Sequence, residues 1–145
     1  MQFETDVSTS EDRPTIFLIE PEQVVRSALD YILREHYRTH AFAAMAEAMS
    51  SSTKTPAVVL IGIAILRDRG EAVLDELNRV FTSAKILLVA ERKSDPVVQA
   101  GLEQGAHGVI SNPISFSSVC GVVSAALGAP DLPGEPSHVI CVAFD

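Results

Sequence analysis

Basic side chains are scarce in this chain. Eleven Lys and Arg stand against 19 Asp and Glu, a formal net charge of −8 over 145 residues, and the cations are scattered along the chain. Such a balance repels nucleic-acid phosphates and anionic lipid heads alike. Neither a nucleic acid nor a membrane is expected as a partner. Cysteine is nearly absent too. Cys120 and Cys141 are the only two and form no CxxC, which leaves a disulfide framework or a metal site with little support. No apolar run is long enough to span a bilayer, and the acidic, polar segment 1–13 has neither the basic nor the apolar part of a secretory leader. The expected location is the cytoplasm. After the first apolar run, where a glycine loop would cradle a phosphate, stands Glu20-Pro21-Glu22, so the common nucleotide-binding motifs are missing. There is no internal repeat.

With 47% apolar and 21% charged residues, the composition is that of a packed α/β protein of one domain. Short, continuous apolar runs read as strands covered on both faces: Thr15 to Ile19, Ala57 to Ile61, Lys85 to Val89 and Gly108 to Ser111, with Tyr37 to Phe42 a weaker fifth. Between them lie helical patterns. Glu22 to Glu35 carries apolar residues at three- and four-residue steps, Ala43 to Met49 is Ala- and Met-rich, and Gly70 to Phe81 aligns Val73, Leu74, Leu77 and Val80. Ser94 and Asp95 precede Pro96 as helix-starting residues do, Gly105 stops that helix, and Ser115 to Leu127 forms the last. Strands alternating with helices predict a three-layer, doubly wound parallel sheet, because each crossover between parallel strands needs a helix. Segment 1–13 reads as a flexible acidic lead, 14–128 as the globular unit and 129–145 as a tail. Three prolines make the tail extended, and the apolar strand His138 to Phe144 within it needs an edge to pair with, in its own chain or a neighbour.

Over roughly Pro14 to Leu127 these residues resemble the response-regulator receiver domain, the CheY-like fold. That family opens with a strand ending in two acids, here Ile19-Glu20-Pro21-Glu22: the first acid is kept as Glu20 and the second is lost to Pro21. Its third strand ends in a phosphoryl-accepting aspartate, and Gly62 stands at that place. A loop and a helix-opening glycine follow, matched by Arg69-Gly70. Its fourth strand ends in Thr or Ser, here Ala90. The family's run Gly-Ala-x-x-aromatic-x-x-Lys-Pro is followed by Gly105 to Pro113, with Val109 for the switch aromatic and Asn112 for the lysine. The resemblance implies strand order 2-1-3-4-5 and an Asn112–Pro113 peptide in the cis form. It also implies a phosphorylation switch stripped of its chemistry. Aspartyl phosphorylation needs a carboxylate nucleophile, a Mg²⁺ held by several oxygens and donors for the equatorial oxygens. Here each provision is missing, so no metal, no cofactor and no catalysis are expected.

The remaining candidates have plain readings beside the functional ones. Asp68 is the one acid in the stretch after Gly62, and a solvated loop charge explains it better than an acceptor six positions from the strand end. Glu20 lies where doubly wound sheets bind ligands, yet a carboxyl hydrogen-bonded to backbone or water suffices. His107, His36 and His40 read as turn or surface histidines. The pocket expected from these residues comprises Glu20, Pro21, Glu22, Gly62, Ala90, Asn112 and Pro113. Two functions follow. The first is a pseudo-receiver, a phosphorylation-independent protein-interaction module that pairs as a homodimer. Its surface is built on Val109 and, from the charge-free last helix, Ser115, Phe116, Val119, Val122 and Val123. The second is a sensor of a small molecule or nucleotide in the crevice at the strand ends.

Overall fold

Successive side chains of a strand point to opposite faces, and in this protein both faces are covered. The computed structural model describes residues 13–51, 55–70 and 72–128. The strands β1 (Thr15–Ile19), β2 (Arg38–Phe42), β3 (Val58–Gly62), β4 (Lys85–Ala90) and β5 (Gly108–Ser111) form one five-stranded sheet in the order β2-β1-β3-β4-β5. Every neighbouring pair is parallel. The expected fold and strand order are therefore observed. On one face Ile16, Leu18, Val58, Leu60, Leu87 and Val89 meet Leu29, Ile32 and Leu33 of α1 (Gln23–Leu33), and Val119 and Val123 of α6 (Phe116–Leu127). The alternate residues Phe17, Ile19, Val59, Ile61, Ile86 and Leu88 pack on the other face. There they meet α2 (Met45–Ser50), α3 (Ile63–Arg69), α4 (Ala72–Val80) and α5 (Pro96–Glu103). Phe17 anchors that second layer with Phe42 and Phe81 edge-on at 5.1 and 5.4 Å. Leu60 and Ile61, fully buried on opposite faces, would each cost about 2–5 kcal/mol if cut to alanine.

One stretch differs from expectation. The residues between Gly62 and Gly70 are helical, not a loop. Ile63, Ile65 and Leu66 are all buried on the sheet, and helical winding is what turns these three inward together. Gly70 ends this helix as well as leading into the next: at φ 87° it takes a backbone conformation that other residues rarely adopt, its N–H donates to the Leu66 carbonyl at 2.7 Å, and its own carbonyl accepts the Val73 N–H at 3.2 Å. Asp68 is an exposed helix residue. At α5 the expected start is observed, with Asp95 as N-cap accepting from the Val97 N–H at 2.9 Å and Pro96 in the first turn. Ser115 and Ser118 cap α6 reciprocally. The Asn112–Pro113 peptide is cis. Segment 1–12 and the tail, with Cys141 and the strand expected from His138 to Phe144, lie outside the described residues. No helix among those described is long and apolar enough to cross a membrane.

Candidate functional site

The sheet's strand order reverses between β1 and β3, and a crevice opens just beyond their carboxyl ends. The parallel register sets Ile19 beside Ile61, so the next residues, Glu20 and Gly62, are neighbours at the mouth. Glu20 is only 6% exposed and is the one polar or charged residue buried among those described. Its carboxyl lies over Gly62: Oε1 overlaps the place where a side chain on residue 62 would begin, and Oε2 is 3.1 Å from an ideal Cβ there. Any side chain at 62 therefore requires this carboxyl to move. Glycine permits this close approach.

One oxygen of Glu20 is held and the other is not. Oε2 accepts the Glu22 N–H at 3.0 Å, while Oε1 has no hydrogen-bond partner among the described residues. Arg26 reaches back from α1 but donates to the backbone carbonyls of Glu20 at 2.8 Å and Pro21 at 3.3 Å. It ties down the turn and leaves the acid without a direct ion pair. Burial pushes the Glu20 carboxyl above its ordinary value, with the Glu22 charge adding to this, against the lowering by the Glu22 N–H and by Arg26.

The crevice has a volume of about 330 Å³, and Glu20, Glu22, Ala90 and Asn112 of the expected pocket line it. Pro21 and Pro113 are exposed and do not. Sequence reasoning missed the arginines. Arg67 on α3 donates to Asp95 Oδ2 at 2.9 Å, a bridge across the rim to the α5 N-terminus. The Arg67 guanidinium, then the Val97 N–H, hold the Asp95 carboxyl below the usual carboxylate range. Arg92 also lines the rim. The signal for Arg67 was its place four residues after Ile63, legible only once that stretch is recognised as helix. Among the described residues no three of His, Cys, Asp and Glu converge in a set that could hold a metal ion.

The interaction residues separate into two groups. Val119 and Val123 are fully buried in the domain's own core, which corrects their assignment to a surface: α6 turns them inward onto the sheet. Val109 and Val122 are partly buried against the two cores, and Ser115 is a helix cap. Phe116 alone of the set is a large exposed apolar group, 44% accessible, with Tyr31 of α1 edge-on to it at 6.5 Å. His107 lies at the other end of the sheet. Its Nδ1 accepts the Ile86 N–H at 3.0 Å while its own N–H donates to the Ile86 carbonyl at 2.7 Å, so it extends the β4 edge and is more than a solvated turn residue. His36 and His40 are exposed beside Tyr37 and Phe17. Burial raises the Cys120 thiol, which keeps it protonated.

Comparisons with known proteins agree with this architecture. No curated protein matches the chain. A response regulator from Thermotoga maritima superposes with a TM-score of 0.71 at 12% identity, covering 81% of this chain and 99% of that one. The N-terminal signal receiver domain of a two-component response regulator from Bacteroides fragilis gives 0.70 at 17% identity, over 78% and 95%. A response regulator from Burkholderia pseudomallei, solved with a phosphorylated aspartic acid, a calcium ion and citrate, gives 0.64 at 16% identity, over 90% and 72%. At such identities the superpositions speak to fold, and the family rests on the sequence itself. The response regulator receiver domain pattern matches residues 16–124, and the chain belongs to that family.

Proposed function

We propose that this receiver domain works without phosphorylation, as a protein-interaction module in bacterial two-component-type signalling. The observation that carries the reading is the pairing of Gly62 with Glu20. The strand end where the family places its acceptor has no side chain, and a buried neighbouring carboxyl fills the space an acceptor would need. A carboxyl sequestered in this way is a poor nucleophile, and the sparse acids at the mouth supply no cage for Mg²⁺. The domain acts through binding and not turnover, in the cytoplasm, with neither nucleic acid nor membrane as its target. Its partner is a protein, including a second copy of itself. The exposed Tyr31–Phe116 pair beside a charge-free helix supports association at that face.

Incubation with acetyl phosphate and Mg²⁺ tests this. Intact mass and mobility are expected to stay unchanged. A Mg²⁺-dependent phosphoryl adduct overturns the reading, and its loss in Glu20→Gln would name the acid that had taken over. A second reading, small-molecule sensing, is favoured by one observation, the open crevice at the strand ends with the Glu20 carboxyl lining it.

A further inference from the structure

The outer face of α6 lacks what a surface helix ordinarily turns to water, which is charge. Ser117, Gly121 and Ala125 are exposed along it, the helix has no charged residue, and at its start Phe116 meets the exposed ring of Tyr31. Gly121 sits in open space: a Cβ there would touch nothing within 4 Å. The other end of the helix has a different character. Ser124 reaches Tyr37, its hydroxyl 3.5 Å from the phenol, which sets the last turn of α6 beside the connection from α1 to β2. Arg34 and Arg38 flank that connection, and Arg13 is tied to it by donating to the Arg34 carbonyl. Against these three arginines stand Asp30, already bonded to Arg34, and Glu35. In a chain of net charge −8 this is a local surplus of positive charge.

We propose that the chain's own tail folds back along α6 and lays its apolar segment 139–144 on the Tyr31–Phe116 face, in competition with a second copy. This rests on the association reading above and names what regulates it. The tail lies outside the described residues, and its sequence supplies both halves of the match. Asp131 and Glu135 come first, next to the arginines; Val139, Ile140, Val142 and Phe144 follow, with no charge anywhere in 139–144. Acids and apolar groups thus occur in the order in which the surface offers their counterparts. The length agrees. Phe116 is twelve residues up the helix from Gly128, about 18 Å by the helical rise. The ten residues 129–138 reach about 30 Å when extended. Gly128, at φ 74°, breaks the line of the helix, and three prolines beyond it keep the chain from going on as helix. A tethered segment competes at an effective concentration near millimolar, so even weak docking loosens a contact between copies.

The test compares the full chain with two variants by tyrosine fluorescence and sedimentation velocity. The chain has two tyrosines and no tryptophan, and Tyr37 is half-buried, so acrylamide quenching reports chiefly on Tyr31. At sub-micromolar protein, below the range of a micromolar dimer, only the chain's own tail can cover that ring. Val139→Ser, Val142→Ser and Phe144→Ser together are expected to raise the quenching and to tighten dimerisation about tenfold. Gly121→Glu, which puts a charge on the path where nothing obstructs a side chain, is expected to raise the quenching as well. Unchanged quenching in either variant overturns the proposal and leaves the association reading to stand on the sedimentation of the wild type. Raised quenching with a weaker dimer in the tail variant makes the tail part of the contact between copies, and overturns the competition. Raised quenching in a protein that stays monomeric at every concentration supports the docked tail while the association reading fails.

Discussion

The mouth of the sheet and the outer face of α6 treat charge in opposite ways. At the mouth a carboxyl is buried with no direct cation partner, beside a residue that has given up its side chain. On the α6 face, water is available but the helix carries no charge, and Tyr31 and Phe116 lie exposed against each other. A folded chain ordinarily does the reverse, burying the apolar and wetting the charged. Departures of this kind mark where a protein is shaped for something other than its own stability. The strand bodies between these regions show no such departure. Every residue of β3 is buried.

The largest effect is expected from putting an acid back at the mouth. Gly62→Asp places a second carboxyl against Glu20, whose Oε1 overlaps the position of the new Cβ. Making room moves the flexible Glu20 carboxyl, which disturbs its bond from the Glu22 N–H. A loss of about 2–4 kcal/mol at pH 7 is expected in urea denaturation. The loss shrinks in acid, where one of the two carboxyls takes a proton. A change below about 0.5 kcal/mol would mean that the two positions do not compete.

The apolar face gives a second, smaller contrast. Replacing Tyr31 and Phe116 together with serine is expected to convert a micromolar dimer to monomer in sedimentation velocity. The monomer's own stability should fall by only about 1 kcal/mol, since both rings are already exposed in the monomer. A wild-type protein that is already monomeric removes the dimer from the account, and a dimer that survives the double change moves it to another face.

The smallest effect concerns the sign of the Glu20 contribution. Burial raises its folded value, so the native state holds this proton more tightly than the unfolded chain does. Its contribution therefore favours folding below the unfolded carboxylate value and is lost as pH rises through the folded one. Glu20→Gln, which keeps the shape without the charge, is expected to raise the melting temperature at pH 7 and to flatten this part of the pH profile. A lower melting temperature at pH 7 would show that the charge is compensated.

The central strands were legible because continuous apolar runs have one good use in a domain of this size, between two layers of helices. The α5 start was legible because Asp95-Pro96 carries its own chemistry. Helix α3 was not. It follows β3 without a turn, and its N-cap, Gly62, has no capping side chain, so neither start signal was present. The α6 helix hid its orientation for a related reason. Without charges to mark an outer side, Val119 and Phe116 look alike in sequence although one is buried and the other is half exposed. At the site, Glu20 and Gly62 were each identifiable at a strand end. That the first fills the place of the second follows only from the register of β1 on β3, which a linear pattern does not contain.

The most direct measurement follows the amides of Gly62, Ala90 and Asn112 by NMR during titration with beryllofluoride and Mg²⁺, a mimic of the acyl phosphate. If the mouth has no available acceptor, these amides do not shift and no saturation is seen. Saturable, Mg²⁺-dependent shifts at these positions would show that the domain still takes a phosphoryl group, and would contradict the phosphorylation-independent role.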